Sequence, residues 1–306
     1  SSLRTEIAGI QLQNPIGLAA GFDKNFDVLP SLASLGFGYV TGGTITQTAR
    51  TGNPRPRVMR YQRDESLVNA YGFPNKGVGH AIEKLRRSAS QTAAPIVASI
   101  SGVTIDEIVA CHRGIEPYAS AVEVNISSPN TEGLKVFHDT NVLADLLDEI
   151  NAERRRPLFV KLPLSMSAVP LAQTCADRGV DALTVANTQP IEDSRLAVGH
   201  GGLSGRRIFH AMLMMVRRVR EAIGNSIAIN AVGGISNGED AFKDRLAQFL
   251  KAQFAVDHGP AVDVHIVLHL GEHRRVGGEF DRRRGVGAKA RPAPGGETDQ
   301  VRPSRD

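Results

Sequence analysis

Seven short apolar runs punctuate the chain: PIGLAAG (15–21), FGYVTGGT (37–44), APIVASIS (94–101), SAVEVNIS (120–127), PLFVKLP (157–163), DALTVANT (181–188) and SIAINAVGG (226–234). Each is bounded by turn-forming residues and is too short for a helix, which predicts buried strands. Between them lie segments with helical periodicity, among them VLPSLASLG (28–36), DTNVLADLLDEINAERR (139–155), AVPLAQTCADRG (168–179) and GRRIFHAMLMMVRRVREAIG (205–224). In the last, Ile208, Met212, Leu213, Val216 and Val219 recur at helical spacing, which assigns the methionines to core packing rather than to a cofactor box. Strand, helix and strand alternating every 25 to 40 residues or so is the pattern of a parallel α/β protein. The polar residues cluster at the ends of the runs: Asp23-Lys24, Thr44, Asn125 to Thr131, Lys161, Asn187-Thr188 and Gly233-Gly234. A (β/α)8 TIM barrel places its chemistry at the carboxyl ends of its strands, so this distribution favours a ring over an open doubly wound sheet.

Composition narrows the function classes. With 306 residues, 41% of them hydrophobic, the chain is long enough for one large core. There is no Trp, only four Tyr, and the net charge is +4, which argues against a nucleic-acid surface. Much of the basic excess lies late, in HRRVGGEFDRRRGVGAKARP (273–292). Cys111 and Cys175 match no metal or redox spacing and are expected to be reduced, buried thiols. No apolar stretch approaches the ~20 residues of a membrane span, and the start SSLRTEIAGIQLQNP is not a signal peptide, so a soluble body is expected.

The candidate chemistry is that of a ligand pocket. Lys24 follows GLAAGFD and Lys161 follows LFV; a lysine at the end of an apolar strand is desolvated and calls for an anionic or electron-rich partner. The glycines of GGLSG (201–205) and AVGGIS (231–236) allow backbone amides to approach a phosphate. No metal-ligand spacing and no GxSxG elbow are present, and His80, His112, His138 and His200 suggest no triad. Residues 124–134, VNISSPNTEGL, read alone as an ordinary turn rich in Ser and Asn. Taken together, an amide-rich, hydroxyl-rich, lysine-bearing pocket suits a planar cyclic imide, with lysines for its carboxylate and for a reduced flavin.

Eight stretches resemble, in order, the landmarks of the dihydroorotate dehydrogenase family: NPIGLAAGFDKN, GFGYVTGGTITQTARTGNPRPRV, LVNAYGFPNKG, VNISSPNTEGL, FVKL, VANT, GGLSGR and AVGGISNGEDA. The resemblance runs from about residue 6 to residue 243. It implies an FMN-binding (β/α)8 barrel that oxidises dihydroorotate to orotate in pyrimidine biosynthesis. It implies that Ala20, Gly21, Lys24, Thr44, Asn125, Lys161, Gly205 and Gly234 hold FMN. Substrate contacts fall on Lys24, Asn69, Gly72, Phe73, Asn125, Asn130, Thr131, Asn187 and Thr188. Ser128 falls on the catalytic base, which takes the C5 proton while a hydride leaves C6 for the flavin. The family's quinone-linked branch carries Ser there and its soluble branches carry Cys, so a quinone is the expected electron acceptor. A serine is a weak base, so it needs a proton relay, for which Thr131 or a trapped water is the candidate.

Three departures from the family pattern shape the remaining expectations. Only residues 1–13 precede NPIGLAAG, where the quinone-linked branch carries a membrane-docking helical module; the expected location is cytoplasmic or peripheral on the inner membrane. Ala186 replaces a threonine often found beside the flavin. After NGEDAFK the chain departs from the family's final VQLYT-type strand, so the last strand-helix unit is expected to be missing or altered. The domain expectation is a barrel over 1–243 and a non-family, partly disordered segment over 244–306, within which VDVHIVLHL can pair as a strand. Either a divergent terminus or a frameshift accounts for it: DHGPAV, back-translated and read one base later, permits Thr-Thr-Val-Gln-Leu. Two alternatives to the leading reading are another FMN-dependent dihydropyrimidine oxidoreductase and an inactive barrel that does not retain FMN.

Overall fold

The computed structural model describes residues 3–88, 92–127 and 133–241, together with the backbone of 264–268. Residues Ser1–Glu272 form one compact unit, and a second, His273–Asp306, lies wholly outside the described residues.

All seven apolar runs form strands: β1 (Ile16–Asp23), β2 (Tyr39–Ile45), β3 (Ile96–Ile100), β4 (Ala121–Asn125), β5 (Leu158–Lys161), β6 (Ala182–Val185) and β7 (Ala228–Val232). An eighth, β8 (Val264–Leu268), pairs with β7 on one side and β1 on the other, and the ring of parallel strands closes. The last unit is therefore altered, not absent: its strand comes from VDVHIVLHL, after the last sequence landmark at residue 243.

Helices cover the outside of the ring. They are α1 (Leu29–Ala33), α2 (Val78–Ser88), α3 (Ile105–Ile115), α4 (Thr140–Asn151), α5 (Ala168–Asp177) and α6 (Phe209–Ile223). The alternation of each strand assigns its residues to one of two cores. On β4, Val122 and Val124 join the large cluster beneath the helices, with Leu143, Leu147, Leu171 and Val216. Ala121 joins the inner cluster at the amino end of the ring, with Tyr39, Val97, Phe159 and Ala182. A hairpin of Thr5–Ile7 and Ile10–Leu12 adds Ile7 and Leu12 to this inner cluster and plugs that end. Gly17 is level with Tyr39 on β2, and a Cβ there would lie 2.3 Å from the Tyr39 ring, so glycine makes room for the ring.

Met212 is buried under α6, as its periodicity predicts, and Met215 is buried too; Met214 is 48% exposed, against the expectation that the helix's methionines pack in the core. Cys111 and Cys175 are free and buried; burial pushes the Cys111 thiol up to about 12 and raises Cys175 as well. No helix among the described residues is long and apolar enough to cross a membrane.

One element was not foreseen. Val58–Tyr61, Ser66–Asn69, His200–Gly205 and Gln189–Glu192 form a four-stranded antiparallel sheet from the segments after β2 and β6. Its strands are short and two carry glycines or prolines, so their periodicity is weak; a small apolar cluster of Val68, Ala70, Leu196, Leu203 and Ile208 holds them.

The start of α3 is fixed locally: Thr104 Oγ1 accepts from Glu107 N (3.2 Å), and Glu107 Oε2 accepts from Val103 N (2.8 Å). Thr104→Ala is expected to lower the unfolding free energy by about 1 kcal/mol in urea titrations, and Thr104→Ser to restore most of it.

Candidate active site

The carboxyl ends of the strands carry the polar residues, and the loop leaving each strand sets where they point. At the end of β1, the Asp23 carboxylate accepts from the amides of Asn25 (3.2 Å), Asp27 (3.0 Å) and Val28 (2.8 Å), folding the chain back in a tight turn. That turn aims Lys24 inward: Nζ donates to Gly21 O at 2.5 Å and lies 4.4 Å from the centre of the Tyr71 ring. Ala20 is buried just before it.

A continuous hydrogen-bonded chain crosses β2, β3, β4 and the segment after β6. Thr44 Oγ1 is 3.0 Å from Ser99 Oγ and accepts from Asn125 Nδ2 at 3.1 Å. Asn125 Oδ1 accepts from Ser127 N (3.2 Å), Ser127 Oγ (3.1 Å) and Asn187 Nδ2 (3.3 Å). Asn187 Nδ2 also donates to Ser127 Oγ at 2.9 Å, and its Oδ1 accepts from Thr188 N at 2.8 Å. Ser101 Oγ donates to Asn125 O at 2.8 Å. Thr44, Asn125 and Asn187, chosen separately along the sequence, thus belong to one network, and each side chain's orientation is set by the next.

Lys161 ends β5 directly across the ladder from Asn125 and from Thr184. It is 6% exposed, and burial pushes its ammonium below the usual lysine range while the Glu123 charge pulls the other way. Among the described residues its Nζ makes no hydrogen bond or ion pair. A desolvated cation held without an acceptor is a group awaiting an electron-rich partner.

The glycines do what close approach demands. Gly205 ends the strand His200–Gly205 at φ +91°, and Gly234 comes after β7 at φ +73°. A Cβ on Gly234 would lie 2.7 Å from Gly205 O, so two bare backbones meet at the start of the turn that leads into α6. Asn69 ends the strand Ser66–Asn69 and donates to Gly202 O at 3.5 Å. Gly72 and Phe73 come next, with φ of +66° and +56°. Asn75 fastens this segment to the end of β2, donating to Phe73 O (2.8 Å) and Thr46 Oγ1 (2.9 Å). Ser128, Asn130 and Thr131 lie outside the described residues.

Sequence reasoning passed over Ser99, Ser101, Glu123, Ser127, Thr184, Asn230 and Asn75. Most of these were detectable: Ser99 with Ser101, and Glu123 with Asn125, are spaced by two and share a strand face. Among the described residues no cluster of metal ligands is present.

The Thr44–Asn125 contact is testable by a double-mutant cycle. Thr44→Val with Asn125→Ala should show a coupling of about 0.5–1.5 kcal/mol in chemical denaturation, whereas Asn125→Ala with the exposed Lys135→Ala should be additive to within about 0.5 kcal/mol.

Comparison with known proteins agrees with this geometry. The family model described as dihydroorotate dehydrogenase matches residues 2–254. A dihydroorotate dehydrogenase (quinone) of Chloroflexus aurantiacus is 37% identical over 269 residues, covering 79% of this chain and 73% of that protein. One from a Chelativorans species is 31% identical over 300 residues, covering 91% and 83%. The ligand-free crystal structure of DHODH from Eimeria tenella superposes with a TM-score of 0.74 at 28% identity, covering 80% of this chain and 79% of that one. A closed ring with its polar network at the strand ends, matched across this length by sequence and by structure, establishes that the chain belongs to the dihydroorotate dehydrogenase family.

Proposed function

We propose that this chain oxidises (S)-dihydroorotate to orotate on a bound FMN and passes the electrons to a quinone. The observation that carries the reading is the linked set Thr44, Ser99, Asn125, Ser127 and Asn187 beside the buried Lys161, which has no acceptor among the described residues, at the carboxyl end of the barrel.

The residues present fit a flavin. The Gly205 and Gly234 backbones form a cradle that a Cβ would fill, suited to a phosphate against main-chain amides. Lys161 offers a cation without a hydrogen-bond acceptor of its own among the described residues, suited to a ring that gains negative charge. When bound, the flavin supplies a hydride acceptor that no amino-acid side chain provides. Ala20, Gly21, Lys24, Thr44 and Asn125 are the other residues assigned to hold it.

The chain's own part is to bind, orient and deprotonate the substrate. Lys24 meets the substrate carboxylate, and the cation–π contact with Tyr71 limits the lysine's freedom. Carboxamides at Asn69, Asn125, Asn130 and Asn187, with the hydroxyls of Thr131 and Thr188, present both donors and acceptors to the cyclic imide edge. Gly72 and Phe73 place backbone beside it. Ser128 accepts the C5 proton, assisted by Thr131 or a water, while the amides and lysines offset the charge that develops in the ring. The quinone assignment rests on the serine at position 128 and on the names of the relatives, whose printed activity is quinone-linked.

The purified protein is expected to be yellow, and anaerobic dihydroorotate is expected to bleach its flavin bands. Ser128→Ala should keep the absorbance spectrum and slow bleaching by about 100-fold or more in stopped-flow measurements. An unchanged rate assigns the base elsewhere. Steady-state turnover should be supported by a soluble quinone and not by fumarate or NAD.

A further inference from the structure

Below the site residues, one step deeper in the barrel, the strands carry further polar side chains, of which Glu123 and Thr184 have no part in the proposed reaction. Glu123 precedes Asn125 by two on β4 and so shares its inward face. It is 4% exposed. Its Oε2 accepts from Thr184 Oγ1 at 2.7 Å, and Thr184 sits two strands away on β6, so the carboxylate reaches across β5. The β5 residue level with Thr184 is Lys161. Among the described residues Glu123 Oε1 has no hydrogen-bond partner, nor do the buried Tyr39 hydroxyl and Asn230 Oδ1.

An unpaired carboxylate oxygen in an enclosed layer is costly and persists only where something compensates it. The compensating charge is Lys161, and the need is mutual, since Glu123 is the group that opposes the desolvation of the ammonium. Glu123 and Lys161 are not in direct contact: no ion pair within 4.0 Å joins them among the described residues, which leaves the ammonium free to face the strand ends while the carboxylate is fastened behind it.

We propose that Glu123 is a positioning residue which, anchored by Thr184, keeps Lys161 as an ammonium in the site assigned to the flavin and thereby raises the potential of the bound cofactor. The proposal rests on the assignment of FMN to this site. The other groups facing this layer are Tyr39 on β2, which also feels the Glu123 charge, and the non-titrating Ser99, Thr184 and Asn230 on β3, β6 and β7; β8 places His265 at the register level of Asn230. Removing the carboxylate would leave Lys161 with no counter-charge in the layer among the described residues, and neutralising an amine in a low-dielectric interior is then the cheaper state.

The sign of the effect separates this from simple charge deletion. If Lys161 stays charged in Glu123→Gln, losing a nearby negative charge makes the flavin easier to reduce. If Lys161 becomes neutral, the cofactor loses a cation of its site and becomes harder to reduce.

The test uses the holoenzyme of the full chain and has two readouts. Lysines labelled at 13Cε are titrated by NMR, with the Lys161 resonance identified by its loss in Lys161→Met. Glu123→Gln should titrate at least ~1 pH unit lower at Lys161 than the parent protein, a tenfold change in proton affinity. Spectroelectrochemistry at pH 8 should show the flavin midpoint falling by about 30 mV, tenfold in the two-electron equilibrium. The double variant Glu123→Gln with Lys161→Met should show no further fall in midpoint relative to Lys161→Met alone, since no lysine remains to be neutralised. A Lys161 titration unmoved in Glu123→Gln, or a midpoint that rises or stays fixed, overturns the proposal while leaving the FMN reading intact. If the variant loses its flavin, the NMR titration alone decides. A parent protein that binds no FMN and is not reduced by dihydroorotate overturns both.

Discussion

The constraint on which this structure depends is that a closed parallel barrel has an inside without bulk water. Every inward polar side chain must be answered by another side chain, a backbone group or a ligand. At the amino end the problem is reduced to one group: Val97, Ala121, Phe159 and Ala182 pack with Ile7, Leu12 and the Tyr39 ring, and only the Tyr39 hydroxyl has no hydrogen-bond partner among the described residues of this plug. Toward the carboxyl end apolar packing gives way first to Ser99, Glu123, Lys161 and Thr184, then to Asn125 and Ser101. The molecule therefore runs from a floor that supplies stability to a rim that supplies chemistry, with a charged layer between them.

This gradient explains why the site can be rigid although its residues come from distant parts of the chain. Thr44 and Asn125 are 81 positions apart, and Asn125 and Asn187 are 62 apart, but each is held at a strand end by a ladder that closes on itself. Hydrogen bonds among them orient the carboxamides before any ligand arrives, so less ordering is left to binding. The antiparallel sheet does the same for the segment containing Asn69, Gly72 and Phe73, which Asn75 ties to the end of β2.

The ring strands were legible because burial on both faces makes a parallel strand apolar along its whole length, and the flanking Gly, Pro and Asn mark its ends. The strand-end residues were legible for the converse reason: Lys161 after LFV and Asn187 after TVA break an apolar run where a core has no use for them. The interior layer was harder to see. Glu123 in AVEVN looks like a single polar exception, and only the register that sets Thr184 beside Lys161 reveals a reason for it. The antiparallel sheet escaped notice because its four short strands depend on partners far away in sequence, with little periodicity of their own. The Cys111 and Cys175 expectation needed only composition and spacing, since a small apolar thiol belongs in a core wherever it falls.

The closing strand has a further consequence. Val264–Leu268 completes the ring through main-chain pairing with Ala228–Val232 and Ile16–Asp23, although its sequence lies outside the run of family landmarks. A ladder is built from amides and carbonyls that every residue except proline carries, so a gap between two waiting strands selects for extended, β-branched sequence and little else. The first seven strands act in this respect as a template with two open edges. Closure of the ring is then set by main-chain geometry more than by side-chain identity, so the seam tolerates wide change in sequence as long as the strand stays extended.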